Sequence, residues 1–460
     1  YRVLTGPEAA GKVVGVTKRA AQSWKRMALA ASVVVLIGVA GAVTWLRPWE
    51  PTIEPASLER MAFPLPDKPS IAVLPFTNMS DDPAQEYFVD GMTEDLITDL
   101  ARVSGLFVIA RNSMFTYKGR AVKVREVAEE LGVRYVLEGS VRRAGDRVRI
   151  NAQLIDATTG GHLWAERFDR ELKDMFALQD EVVGRIVAAL EVRLTADERR
   201  SLAHQYTSSV QAYDVFLRGL REFARRSKEG NDNARALFAE SIELDPKFVH
   251  PYAYLAWAHV RDFLDGWSEW PERSLEQAYA QARNATALDD SLPLTHFVMG
   301  IVQLFRKEHE KALGALETAL SLDPNFANGY AMLLRVLHYS GRPDAGLEPM
   351  KVAMRLDPRQ PLAYLSILGN AYFTLGRYEE AADVLKKAIA RNPSAQRPHM
   401  WLAATYAQLG LMDEAEWEAE ELLALDPDFS LRHIVRGLPF KNPAHLETII
   451  GALRKAGLPE

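Results

Sequence analysis

Three stretches of the chain gather residue types that could do chemistry. Residues 6–13, GPEAAGKV, set Gly6, Gly11 and Lys12 at the spacing of a loop that cradles phosphates. The next position must be Ser or Thr to hold magnesium, and here it is Val13, with no nucleotide fold following, so the stretch reads as a linker. Asp81, Asp82, Glu86, Asp90, Glu94, Asp95 and Asp99 string carboxylates along one helix pattern and its entry. Paired carboxylates can share a proton or hold a hard cation. Strung along a helix start, they read more simply as a solvated face that suits the helix dipole. Arg142, Arg143, Arg147 and Arg149 flank a tight turn and could hold an anion, although no row of aromatic residues is interleaved with them and exposed strand faces often carry such charges.

Other chemistries have no residues to work with. There is no cysteine, which removes disulfides, thiolate metal sites and cysteine nucleophiles together. The ten histidines show no HExxH or other ligand spacing, and no Ser, His and Asp constellation is legible. A net charge of −6 gives no electrostatic footprint for nucleic acid. The expectation is no catalytic residue, no cofactor, no metal and no nucleic-acid partner within this chain.

The elements that would position any site divide at Met27–Leu46, MALAASVVVLIGVAGAVTWL, twenty residues without a charge. At about 1.5 Å per residue this length matches the roughly 30 Å hydrocarbon core, with Trp24, Trp45 and Trp49 at its flanks. A signal peptide cut near Ala40-Gly41-Ala42 and a buried core helix compete with this reading. The first needs a shorter apolar run and the second a polar face. Six basic residues and one acid precede the stretch, so the positive-inside rule predicts residues 1–26 in the cytoplasm and 47–460 on the periplasmic side of a bacterial inner membrane. Pro48, Pro51, Pro55, Pro64, Pro66 and Pro69 then suggest a stiff spacer over 47–69.

Residues 70–194 change pattern. An apolar strand at Ile71–Phe76 leads into a helix capped by Asp82 with Pro83 at its first turn; a second strand and helix follow, the latter stopped by Gly132. Three strands come next, and over 147–156 Val148, Ile150, Ala152 and Leu154 alternate with Arg147, Arg149, Asn151 and Gln153. A closing helix over 174–194 completes a small mixed α/β domain. The stretches KPSIAVLPFTNMSDDPAQEYFVDGMTEDLITDLAR, YVLEGSVRR and RVRINAQLIDATTGGHLWAERFDR resemble the TolB-like amino-terminal domain of bacterial envelope proteins. That resemblance implies an interaction or accessory module without a reaction of its own.

The second half repeats. The markers Leu244-Asp245-Pro246, Leu288-Asp289-Asp290, Leu322-Asp323-Pro324, Leu356-Asp357-Pro358, Arg391-Asn392-Pro393 and Leu425-Asp426-Pro427 recur at spacings of 44, 34, 34, 35 and 34 residues. This is the period of the tetratricopeptide repeat, a helical hairpin that buries its apolar face only by stacking. About six repeats are expected over 210–430, with ten extra residues around Trp267 and Trp270 and a carboxyl-terminal capping helix over 431–460. The fourth unit departs from the pattern at Gly346, where alanine is expected. First helices line the inner groove of such a solenoid, which makes Trp257, Arg261, Phe297, Arg335, Tyr339, Asn370 and Phe373 the candidate peptide-binding residues. Core packing is the competing role for each aromatic.

The fold class expected is therefore multidomain: a single transmembrane helix, a small mixed α/β domain of TolB-like type and an all-α tetratricopeptide solenoid. The order resembles the carboxyl-terminal half of bacterial class III adenylate cyclases, and Tyr1-Arg2-Val3-Leu4 resembles the strand that trails their catalytic domain. The resemblance implies the regulatory half of a signalling protein, dimeric if it belongs to a cyclase, with the metal-binding aspartates ahead of Tyr1. The alternative is a non-enzymatic envelope or secretion scaffold with a protein or peptide partner in the groove.

Overall fold

The computed structural model describes residues 53–202 and 207–460. Its first elements arise where the sequence alternates or caps. Strands β1 (Ser70–Val73), β2 (Thr77–Asn78), β3 (Phe107–Val108), β4 (Tyr135–Ala144), β5 (Arg147–Asp156) and β6 (Gly161–Glu171) form one sheet in the order β3-β1-β4-β5-β6, with β2 beside β4. β1 runs parallel to both β3 and β4, while β4, β5 and β6 form an antiparallel meander. All four residues of β1 are buried, as a parallel strand covered on both faces requires.

Helix α1 (Glu86–Ala101) is entered through a tight turn at Pro83–Gln85, where Asp82 Oδ1 accepts a hydrogen bond from Ala84 N at 2.8 Å. Two shorter helices, α2 (Arg111–Phe115) and α3 (Val124–Leu131), follow; Gly132 ends the latter in the left-handed conformation, φ 62°. Helix α4 (Met175–Ala189) buries Phe176, Val182, Val183, Ile186 and Val187 in the same core as Val148, Ile150, Ala152 and Leu154 of β5. The proline-rich residues from Ile53 onward lie along this domain: Ala56 N donates to Ala157 O at 2.7 Å and Ala62 N to Glu129 O at 2.8 Å.

After α5 (Ala196–Leu202), the described residues contain six helical hairpins: α6/α7 (Val210–Ala224, Lys228–Leu244), α8/α9 (Val249–Leu264, Pro271–Leu288), α10/α11 (Pro293–Phe305, His309–Leu322), α12/α13 (Ala327–Tyr339, Leu347–Leu356), α14/α15 (Leu362–Thr374, Tyr378–Arg391) and α16/α17 (Gln396–Leu409, Met412–Leu425). The fourth hairpin explains its own irregularity. A Cβ on Gly346 would lie 2.5 Å from Leu334 Cδ1 and 2.8 Å from Leu334 Cα, and the second of these is backbone that cannot move aside. Glycine stands there because the two helices meet too closely for alanine.

Two helices close the chain, α18 (Leu431–Gly437) and α19 (Pro443–Lys455). The segment between them folds back onto the fourth repeat: Lys441 N donates to Tyr339 O at 2.9 Å and the Phe440 ring stands 4.9 Å from that of Tyr339. Of the two tryptophans in the inserted loop, Trp267 is half-buried and Trp270 is exposed.

The fold class expected from the sequence is corrected in one respect. What is seen is a sheet domain plus a helical repeat solenoid, and no helix of the described residues is long and apolar enough to cross a membrane. The longest, Pro271–Leu288, has 18 residues and carries charges throughout. The most apolar repeat helix, Pro293–Phe305, has only 13 residues, too few to span a bilayer. The stretch Met27–Leu46 and the loop-like residues 6–13 lie outside the described residues.

Candidate functional site: the joint between sheet domain and solenoid

The sheet domain and the repeats share one compact unit, Ile53–Glu460, and the residues that join them form an extended polar constellation. Helix α1 packs on α6 so closely that a Cβ on Gly91 would lie 2.4 Å from Leu217 Cδ2. Beside this contact Asp95 accepts hydrogen bonds from Tyr213 Oη and from Gln179 Nε2, the latter at 2.9 Å. Asp214 likewise receives Tyr87 Oη at 2.7 Å and Arg143 Nη1 at 2.9 Å. Burial pushes the Asp95 carboxyl up to about 7 and Tyr213 well above its usual value.

The joint then crosses the first helices of repeats 1 to 3 and ends on the turns that open repeats 4 and 5. Asn325 is buried there, and its Nδ2 donates to Ala101 O at 2.8 Å and Leu106 O at 3.2 Å while its Oδ1 accepts Val108 N at 3.3 Å. One amide thereby satisfies backbone groups at the end of α1 and in β3. The buried marker residue Asp323 holds Asn325 by accepting its N–H at 2.8 Å, and burial raises the Asp323 carboxyl to about 7. One repeat later Asp357 accepts Ser113 Oγ and Asn112 Nδ2, the second at 3.0 Å, and Leu356 O accepts Ala110 N at 2.8 Å. The Arg355 guanidinium donates to Leu131 O at 3.0 Å and Gly132 O at 2.8 Å, the open carbonyls at the end of α3. It also lies over the rings of Phe63 and Phe107, at 5.0 and 4.6 Å.

A cavity of about 170 Å³ remains inside the joint, lined by Asp95, Arg111, Tyr254, Trp257, Phe297 and Asn328 among others. Arg111 is held at its edge by Glu94, at 2.6 Å, and stacks on Phe115 at 4.1 Å. Among the described residues no three or more His, Asp or Glu side chains come together as metal ligands. Five of the seven carboxylates of the acidic run are engaged here: Asp81 with Arg142, Asp82 with the helix start, Glu86 and Asp90 both with Lys118, and Glu94 with Arg111. The hairpin arginines are engaged as well, Arg142 with Asp81, Arg143 with Asp214, and Arg147 and Arg149 with Asp169.

The seven candidate groove residues fall into separate places. Trp257 and Phe297 meet edge to face at 5.3 Å and both line the cavity under the sheet domain. Arg261 lies 3.4 Å over the Phe223 ring and donates to Phe223 O at 2.6 Å; burial lowers its guanidinium to about 10. Arg335 is half-buried and has no hydrogen-bond or ion-pair partner among the described residues. Tyr339 is buried beneath Phe440. Asn370 joins Ser366 O at 2.8 Å to Trp401 Nε1 at 3.2 Å, and Phe373 is buried edge-on to Trp401 at 5.4 Å. The residues that make the joint, Asn325, Arg355, Asp357, Asn112 and Ser113, were not among them. Asn325 follows a marker Pro, where the other repeats hold Lys247, Ser291, Arg359, Ser394 and Asp428, so the position shows no pattern.

Comparisons with known proteins bear on both parts. Residues 67–185 match the family described as HilA/YgeH-like transcriptional regulator, second domain, and residues 368–428 match the tetratricopeptide repeat. Over the stretches that resemble a TolB-like domain, the family match is to the HilA/YgeH-like second domain, and a TolB-like one is not shown. The stretches that suggested it encode β1, α1, β4 and the β5–β6 hairpin. A Rhizobium meliloti (strain 1021) protein named "Putative adenylate cyclase 3" is 47% identical over 270 residues, 58% of this chain and 46% of that protein. Hsp70-Hsp90 organizing protein 3 of Arabidopsis thaliana is 36% identical over 69 residues, 15% of this chain and 12% of that one. The chain spans less than half the length of either relative. Among solved structures, the APC/C hetero-tetramer Cut9-Hcn1 overlaps 62% of this chain and 53% of its own at 16% identity, with a TM-score of 0.41.

Proposed function

We propose that residues 53–460 are a regulatory protein-interaction module, and that in a longer polypeptide this module governs an adenylate cyclase. The observation that carries the first part is the joint. Tetratricopeptide solenoids present their first helices to proteins or peptides, and here those of repeats 1 to 3 are covered by the chain's own sheet domain. A partner seeking Trp257 or Phe297 competes with α1 and the β3 region, so binding and rearrangement of the sheet domain are linked.

The second part is supported by the 47% identity to a protein named as a cyclase, of which this chain accounts for 46%. On this reading the contribution of residues 53–460 is control, and turnover belongs to another part of the longer polypeptide. The test uses an antibody against the repeats on cells that make the protein. A band heavier than the 51.5 kDa of this chain, whose immunoprecipitate makes cyclic AMP from ATP, supports the reading. A band at 51.5 kDa with no cyclic AMP formed overturns it in favour of a scaffold without an enzyme.

A further inference from the structure

Strand β6 ends the sheet. It pairs with β5 on one side, and among the described residues no other strand or backbone hydrogen bond reaches its opposite edge. Which backbone groups face that edge follows from the register, the Asp169 carbonyl among them also accepting Arg170 Nη1 at 3.2 Å. Leu172 N donates to Asp146 O at 2.7 Å across this pair, so even-numbered residues turn their N–H and C=O toward β5 and Ala165, Arg167, Asp169 and Glu171 turn theirs outward. The irregularity in the β5–β6 pairing sits at Leu154/Ile155, which leaves the run from Ala165 to Glu171 regular.

Charges on an edge strand ordinarily keep other strands away. Here their order has a second property. Glu166-Arg167-Phe168-Asp169-Arg170 reads negative, positive, neutral, negative, positive, and the reversed order is its complement. We propose that β6 pairs with β6 of a second copy of this chain, antiparallel and with the two-fold axis at Phe168. Arg167 then faces Asp169 of the second copy and Glu166 faces Arg170, each twice by symmetry.

The outward-turned groups of residues 167 and 169 supply the hydrogen-bonded pairs of this register. Centring on Arg167 or on Asp169 instead sets like charges opposite each other, so the register is selected as well as allowed. Arg167 is exposed and has no partner of its own among the described residues, which leaves its charge available. Glu166 and Arg170 sit on the helix side of the strand, within 3.7 Å of Arg185 and 3.0 Å of Glu181, so the crossing would join two ion pairs already in place. The inference is independent of the cyclase reading, since it rests only on the sheet.

The test is sedimentation of the 460-residue chain over a wide concentration range, beside Arg167→Glu. The expected result is a concentration-dependent dimer, weakened at least about tenfold in the variant, which sets Glu against Asp169 at two places while circular dichroism stays unchanged. Because the chain has no cysteine, register can be read by mixing Arg167→Cys with Asp169→Cys protein: oxidation should cross-link the mixture faster than either variant alone. A chain that remains monomeric at every concentration, or a dimer that Arg167→Glu leaves intact, overturns the proposal and leaves the edge to a strand of another protein.

Discussion

Aspartate serves opposite ends on the two sides of the sheet domain. On the solenoid side Asp95, Asp323 and Asp357 are drawn out of water, and burial is the largest influence on each, raising all three. On the meander side Asp169 meets Arg149 and Arg147 in the open, and their hydrogen bonds bring it down to about 2. The first group is positioned by packing and answers to protons; the second is positioned by partners and answers to salt. A joint built the first way is specific because every buried donor and acceptor must find its mate.

Replacing Asn325 by Ala attacks the first side most directly. It strands Ala101 O, Leu106 O and Val108 N in a buried place, and urea unfolding should show a loss of roughly 3 kcal/mol or more. Hydrogen exchange should rise first around residues 101–108.

The pH dependence comes next. Asp95 and Asp323 titrate near 7 when folded and near the usual carboxylate value when unfolded, so the folded state holds more protons between these limits. Stability is therefore fullest below about pH 4 in this respect and is lost progressively as pH rises through about 7. Asp95→Asn with Asp323→Asn should flatten that slope. The second substitution suits the turn, since Asn392 already stands at the same marker position.

Arg355→Lys keeps the charge but loses the fork that reaches Leu131 O and Gly132 O together, and should cost about 1 to 2 kcal/mol in the same unfolding assay. On the meander side the exposed Arg142–Asp81 pair should matter least: Arg142→Ala is expected to change stability by less than about 0.5 kcal/mol. A large effect there would erase the distinction between the two sides.

The sequence makes some of this plain and hides the rest for a physical reason. Alternation over 147–156 and the 34-residue markers are local periodicities, and β5 and the helical hairpins follow from them. Gly346 was legible as a departure, but its cause, the nearness of Leu334, is a distance between two helices. The joint is less legible still. Asp323 and Asp357 were legible as repeat markers, and they cap the ends of their helices, but nothing local says that the same turns also grip α1, α2 and β3. Phe297 and Trp257 were picked as groove residues from their place on first helices, and the same place puts them against the sheet domain.

The hydrogen bond from Asn112 to Asp357 spans 245 positions of chain, and that distance has a meaning during synthesis. The sheet domain leaves the ribosome long before its fourth and fifth repeats exist. Until they emerge, Ala101 O, Leu106 O, Val108 N, Ala110 N and the side chains of Asn112 and Ser113 lack the partners that the fourth and fifth repeats bring. The nascent polypeptide is thus complete in outline early and sealed late, and a stop codon anywhere ahead of Asp357 should release a chain whose first domain is made but unguarded.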